Sequence, residues 1–315
     1  MKKKHRNQAR NTDYSAYRHP RWWPTWIGIA VMWCAAQLPI RFQWWLGKCI
    51  GLLAWRFAKR RRRIAEVNIR LCFPELTQAQ QGALVRNSFI ANGIGLMELG
   101  IAWFRNPAKL MGITEVHGKE YLDKALAKGN GVLLLGGHYS TLDLGGSLVT
   151  EYIEADVMQR DHNNPLMNAI MTRARERRYG TALGARDLRG LFRSLKKNRT
   201  VWYATDQDYG RKDIVFAPFF GIPTGTITAT SRIAARSHCM VVPFSHFRRQ
   251  DKPGYDIYFH PPLEPFPGGD DMQDATEINQ ILEREIRRAP DQYLWMHRRF
   301  KTRPDINDPG FYGDK

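Results

Sequence analysis

The chain has 315 residues, 43% of them hydrophobic, with ten Trp and a formal charge of +18. That suffices for one large domain with an appendage or for two small domains, and the charge calls for an anionic partner: nucleic acid, phospholipid, phosphorylated substrate or acidic protein. Cys34, Cys49, Cys72 and Cys239 form no CxxC pair, so neither a zinc site nor a disulfide framework is indicated, and reduced thiols in a cytosol-facing protein are expected.

Residues 1–21 carry seven Lys/Arg and no apolar periodicity, which predicts a basic, flexible arm. Trp22 to Ile40 then gives nineteen uncharged residues between Arg21 and Arg41, a length that just reaches a bilayer span. Trp22, Trp23 and Trp26 resemble an interfacial aromatic belt. A spanning membrane helix over 22–40 is the simpler expectation. Pro24 and Pro39 bracket only fourteen residues, however, so an embedded helix that does not cross, or a buried soluble helix, stays open. Both flanks are basic, which leaves orientation undecided. A cleaved signal peptide does not fit, because the apolar run begins late and no small-residue cleavage site follows. Residues 41–70 mix aromatic and apolar residues with the cluster Lys59–Arg63, as an amphipathic basic segment at a membrane surface would. Residues 64–105 keep an apolar stripe at helical spacing, with Thr77 a candidate N-cap after Pro74.

From about residue 112 short strands alternate with helices. Strands are predicted at Ile113–His117, Val132–Leu135, Ala155–Gln159, Val201–Thr205, Met240–Phe244 and Asp256–Phe259. Helices are predicted around 119–128, 142–152, 164–179, 187–197, 226–237 and 275–288. The alternation argues an α/β fold with a mostly parallel central sheet flanked by helices, whose sites gather at the carboxyl ends of strands.

One such end, Gly131 to Gly146, carries the chemistry. An apolar run ends in Gly136–Gly137, His138 follows, and Asp143 lies five residues on. On one continuous helix the two side chains would diverge by about 140°. They can meet only if His138 lies in the turn and Asp143 in the first turn of a helix, where a carboxylate is electrostatically favoured. An imidazole oriented by a carboxylate can take a proton from a hydroxyl. Chance also supplies such spacings, and His138 as a plain turn residue stays open. The chain's second match, His246 to Asp251, lies among charges and reads as a solvated strand end and loop.

Other strand ends carry Arg160–Asp161 and Asp206 with Asp208. Arg173, Arg175, Arg177 and Arg178 share one predicted helix, either a phosphate-holding group or a solvated basic face. The two carboxylates of residues 200–210 lack a third ligand, so capping or substrate binding is expected there and no metal. Residues 292–304 set Arg298, Arg299, Lys301 and Arg303 among aromatics. No G-x-S-x-G, P-loop or GxGxxG occurs, which disfavours the usual serine hydrolase and nucleotide chemistry.

Taken together, HPRWWPTWIGIAVMW, RRRRIAEVNIRLCFPEL, GLMELGIAWF, GGHYSTLDLG, NNPLMN, VWYATDQDYG and HRRFKTRP resemble the late acyltransferases of lipid A biosynthesis, over nearly the whole chain. These are lauroyl and palmitoleoyl transferases acting on the Kdo-bearing lipid A precursor, within the wider acyltransferases with a His-x4-Asp/Glu signature. Asp143 stands where close relatives often have Glu. The resemblance implies a glycerolipid acyltransferase-like domain over 71–315 and direct acyl transfer from acyl-carrier protein to a 3-hydroxyacyl hydroxyl of the lipid, without an acyl-enzyme or cofactor. It implies His138 as general base with Asp143 holding its tautomer. Arg175 would orient a phosphate or donate to the oxyanion, Asp206 would bind substrate or be structural, and Arg160 and Asn164 would also bind substrate. The implied partners are the carrier protein, a phosphorylated glycolipid and anionic inner-membrane lipids, with no nucleic acid. The catalytic domain would face the cytoplasm. Other readings of the same residues are transfer to another glycolipid or lysophospholipid, or a membrane-tethered basic nucleic-acid-binding protein.

Overall fold

The computed structural model describes residues 13–313. Nine strands run in chain order: β1 Thr114–His117, β2 Val132–Gly136, β3 Ala155–Gln159, β4 Ala182–Gly184, β5 Thr200–Ala204, β6 Ile214–Phe219, β7 Ile222–Ile227, β8 Met240–Arg248 and β9 Tyr255–Phe259. Ten helices accompany them: α1 Trp23–Gln37, α2 Ile40–Phe57, α3 Lys59–Cys72, α4 Gln78–Phe104, α5 Lys119–Ala127, α6 Leu142–Val149, α7 Pro165–Glu176, α8 Leu188–Lys196, α9 Ala229–Ser237 and α10 Asp271–Arg288.

Seven strands form one sheet in the order β1-β9-β8-β2-β5-β3-β4, parallel throughout except where β8 meets β9. The expected α/β architecture is therefore present. The central strand β2 is buried from end to end. Leu133 and Leu135 enter one core cluster and Val132 and Leu134 the other, because alternate side chains point to opposite faces and helices cover both. The predicted strands and helices lie where expected to within a few residues, apart from β8, which runs on to Arg248. Thr77 caps α4 in a reciprocal box with Gln80.

Two strand features depart from the sequence reading. Strand β4 is only three residues long, too short for a periodicity to register. The antiparallel pair β6–β7 was unpredicted because Pro218 faces Pro223 across it and glycine interrupts it. Its turn, Phe220–Gly221, takes positive φ at both residues, as tight hairpins require.

The larger correction concerns the N-terminus. No helix among the described residues is long and apolar enough to cross a membrane, so the expected spanning helix over 22–40 is not formed. The stretch is broken at Leu38, which precedes Pro39 and is extended, and α1 keeps fifteen residues. At 1.5 Å per residue that is roughly 22 Å against a hydrocarbon core of about 30 Å. Of the predicted basic arm, residues 1–12 lie outside the described residues, while Ser15–Tyr17 and Pro20–Trp22 form short 3-10 turns.

Helix α2 crosses α4 almost backbone to backbone. A Cβ at Gly51 would sit 2.4 Å from the Phe89 carbonyl oxygen, and one at Gly93 would sit 2.2 Å from that of Gly47. Helix α4 is joined to the sheet by a nearly fully buried ion pair, Glu98 with Arg248 of β8 at 2.7 Å, to which the Tyr255 hydroxyl also donates. Removing one partner would strand a buried charge. The N-terminal helices are thereby fixed to the strands that carry the site. Replacing Gly51 by Val should destabilise the chain by roughly 1–3 kcal/mol through overpacking against Phe89. Thermal unfolding in detergent would read this as a lowered midpoint, and an unchanged midpoint would contradict the close crossing.

Candidate active site

The apolar strand β2 delivers His138 two residues past its end, at the carboxyl edge of the sheet, with a fifth of its side chain exposed. Strand β5, its parallel neighbour, delivers Asp206 two residues past its own end. Register thus places the two side by side. The His138 backbone N–H donates to Asp206 Oδ2 at 2.7 Å, and ring Nδ1 lies 2.6 Å from Oδ1. A carboxylate accepts at both oxygens, so Nδ1 carries the proton and Nε2 is left as the ring's acceptor. The Trp202 ring meets the imidazole edge-on at 5.7 Å.

The Asp206 side chain is fully buried. Burial pushes its pKa up, yet the charge and two hydrogen bonds of His138, with Arg299 nearby, hold it at about 2. For His138, desolvation presses the pKa down, and the Asp206 charge and hydrogen bond outweigh it, so the net shift is above 6.5.

Asp143 does occupy the first turn of α6, as expected, but it is not bonded to the imidazole. Its carboxylate takes Nε and Nη2 of Arg175 from α7 at 3.0 and 2.9 Å, and Arg175 Nη1 donates to Gln159 at the end of β3. In this geometry the carboxylate that contacts the His138 ring is that of Asp206, which the sequence reading had as substrate-binding or structural, and not that of Asp143. Spacing along the chain could not reveal this, because the partner comes from a neighbouring strand 68 residues away. The sequence also placed His246 in a solvated strand end. It is 2% exposed within β8, accepts or shares a proton with the Thr141 hydroxyl at 2.8 Å, and packs its ring on Gly145 of α6. Burial lowers its pKa to about 4, so it is neutral at physiological pH.

Of the other expected substrate residues, Arg160 is exposed at the end of β3. Asn164 caps α7, accepting from the Met167 N–H, and donates to Thr25 of α1, so both ends of its amide are engaged. A segment not singled out for this role braces the site. Leu294 N–H donates to the His138 carbonyl, and Ser140 N–H donates to that of Gln292. His297 Nε2 accepts the Asp208 N–H, while Thr302 donates twice to the Asp208 carboxylate. Beneath Asp143 and Arg175 an apolar pocket opens, lined by Leu134, Val149, Val157, Met158, Trp202 and Phe244. The site thus joins an imidazole whose Nε2 is left to accept, a guanidinium–carboxylate pair and a small hydrocarbon-lined hollow. Elsewhere Glu115, His117 and Asp256 converge as metal ligands could, but Arg249 already bridges the two carboxylates.

Residues 12–302 match the pattern of a family described as bacterial lipid A biosynthesis acyltransferase. The chain is 40% identical to a lipid A biosynthesis lauroyltransferase of Escherichia coli K12, over 92% of this chain and 95% of the relative. It is 39% identical to the palmitoleoyltransferase of the same organism, over 91% and 94%. With the E. coli K12 lipid A biosynthesis myristoyltransferase the identity is 27%, over 93% of each.

If His138 Nε2 takes a proton in the reaction, catalysis should fail on the acid side, and the raised pKa puts that limb of kcat/KM above pH 6.5. Asp206→Asn offers an amide where two donors point. It should cut kcat/KM on the order of 10²–10⁴-fold and move the limb to lower pH. Asp143→Asn keeps the Nδ1 bond and should move the limb less; an equal shift in a pH–rate profile would contradict the assignment.

Proposed function

The chain belongs to the bacterial lipid A biosynthesis acyltransferases, and on that premise we propose which groups it joins and how. The acyl donor is the thioester of acyl-carrier protein. The acceptor is a hydroxyl on a 3-hydroxyacyl chain of the Kdo-bearing lipid A precursor, and the catalytic domain works at the cytoplasmic face of the inner membrane. The observation that carries this reading is His138, whose Nδ1 is held by Asp206 and whose ring meets Trp202, a wall of the apolar pocket.

Nε2 takes the hydroxyl proton as the oxygen attacks the thioester carbonyl. Asp206 stabilises the imidazolium that forms. The tetrahedral intermediate then collapses, the carbon–sulfur bond breaks, and the departing thiolate takes the proton from Nε2. An O-acyl ester and a free thiol result, the His–Asp pair returns to its starting state, and no acyl-enzyme or cofactor is required. Arg175, fixed by Asp143 and Gln159, donates to the developing oxyanion. Arg160, exposed beside the site, meets phosphate on the acceptor. Asn164 supports this arrangement by fixing the start of α7.

The apolar pocket, about 30 Å³ in this conformation, has room for roughly one methylene, so the acyl chain enters it as the lining side chains move apart. Each methylene accommodated or excluded there changes selectivity by roughly 10–200-fold. A hydrolase would need water at the position the lipid hydroxyl takes, and the hydrocarbon lining favours the lipid.

His138→Ala should reduce acyl transfer on the order of 10²–10⁴-fold with folding intact. Mass spectrometry of lipid A from cells carrying only this variant should show precursor lacking one secondary acyl chain. Unchanged lipid A would rule out this acceptor, and full activity in vitro would rule out His138 as base. Val157→Phe, which fills the pocket, should turn donor preference toward shorter chains; competition between acyl donors measures it, and an unaltered preference would place the chain elsewhere.

A further inference from the structure

The carboxyl edge of the sheet carries charge that the reaction does not use. Strands β5, β3 and β4 follow β2 in the sheet order and run parallel to it, so the loops after them lie side by side next to His138. The loop after β5 presents Tyr209, Arg211 and Lys212, all exposed. The short loop after β4 presents Arg186 and, at the start of α8, Leu188 and Arg189, again exposed. Arg160, at the end of β3, stands between the two loops.

Arg160, Arg186, Arg189, Arg211 and Lys212 form no ion pair among the described residues. Arg211 donates to the Arg303 carbonyl, which fixes it in place and leaves its charge unpaired. The acids nearby are engaged elsewhere: Asp161 with the Asn168 amide, Asp187 as the cap of α8, and Asp213 with Arg232. Across the same edge, past β8, Arg249 is by contrast already paired with Glu115 and Asp256. Leu188 is 50% exposed and Tyr209 56%, so two large apolar groups stand among the unpaired cations. Apolar groups set among positive charge complement the surface of an acidic protein. A lipid surface would call for a continuous apolar stripe, and these two side chains lie on separate elements.

We propose that this edge, over the loops after β5, β3 and β4, is where the acidic carrier protein docks to bring its thioester to His138. The inference rests on the carrier protein being the donor, as proposed above. Carboxylates of the carrier meet Arg186, Arg189 and Lys212, while Leu188 and Tyr209 pack against its surface. Charges so placed steer the approach and set the orientation of the bound carrier. Proton transfer at Nε2 needs none of these residues.

Steady-state kinetics of the full chain with two donors test this: an acyl thioester of the carrier protein, and the same acyl thioester of free pantetheine. The variant R186E/R189E should raise KM for the carrier thioester at least about tenfold and leave kcat unchanged. Its kinetics with the pantetheine thioester should match those of the parent. The change at Arg189 puts an acid in the first turn of α8, where the helix dipole favours it, so the melting temperature should be kept. Added salt should weaken use of the carrier thioester more in the parent than in the variant. An unchanged KM for the carrier thioester would overturn the docking edge, and so would an equal loss with both donors. A parent that accepts the pantetheine thioester and refuses the carrier's would overturn the donor reading and the docking edge together, while transfer at His138 would stand.

Discussion

A buried carboxylate accepting from one residue twice is the constraint on which the site depends. Asp206 binds both the main chain and the ring of His138. That fixes where the turn after β2 lies and which nitrogen of the ring is free. Burying a charge so fully is unfavourable without compensation, and here the donors of His138 supply it. The same interaction raises the basicity of the imidazole. Position, tautomer and proton affinity are therefore not separable: a change that loosens one alters the others.

The bracing continues outward from that pair. Residues 292–302 hold the turn on one side and the Asp208 loop on the other. Asn68 of α3 in turn donates to the carbonyls of Trp295 and His297. The Glu98–Arg248 pair locks α4 to β8, and Gln292 bonds the backbone of Arg248. A continuous path of hydrogen bonds thus joins the N-terminal helices, the C-terminal strap and the His138 turn. This explains why residues widely separated in sequence serve a site no larger than a few side chains.

Much of this was legible in the sequence, for identifiable reasons. The strand–Gly-Gly–His turn announced itself because a parallel strand buried on both faces reads as an unbroken apolar run. Thr77 was visible as a cap because capping is local. Asp206 stood out as a carboxylate at a strand end, but its role did not, since strand order β2-β5 is fixed by long-range pairing. His246 failed for the converse reason: its neighbours in sequence are charged, while its neighbours in space are Thr141 and Gly145. The N-terminal stretch had enough apolar residues to suggest a span, and the Leu38–Pro39 break shows why counting them overreached. The hairpin β6–β7 escaped because proline and glycine ordinarily argue against strands.

The ¹⁵N spectrum of His138 in labelled protein, followed through a pH titration, tests the His138–Asp206 interaction most directly. A neutral ring protonated at Nδ1, with Nε2 titrating at a pKa above 6.5, is the expected result. A ring protonated at Nε2 when neutral, or one titrating below 6.5, would contradict it, because Asp206 would then neither orient the base nor strengthen it.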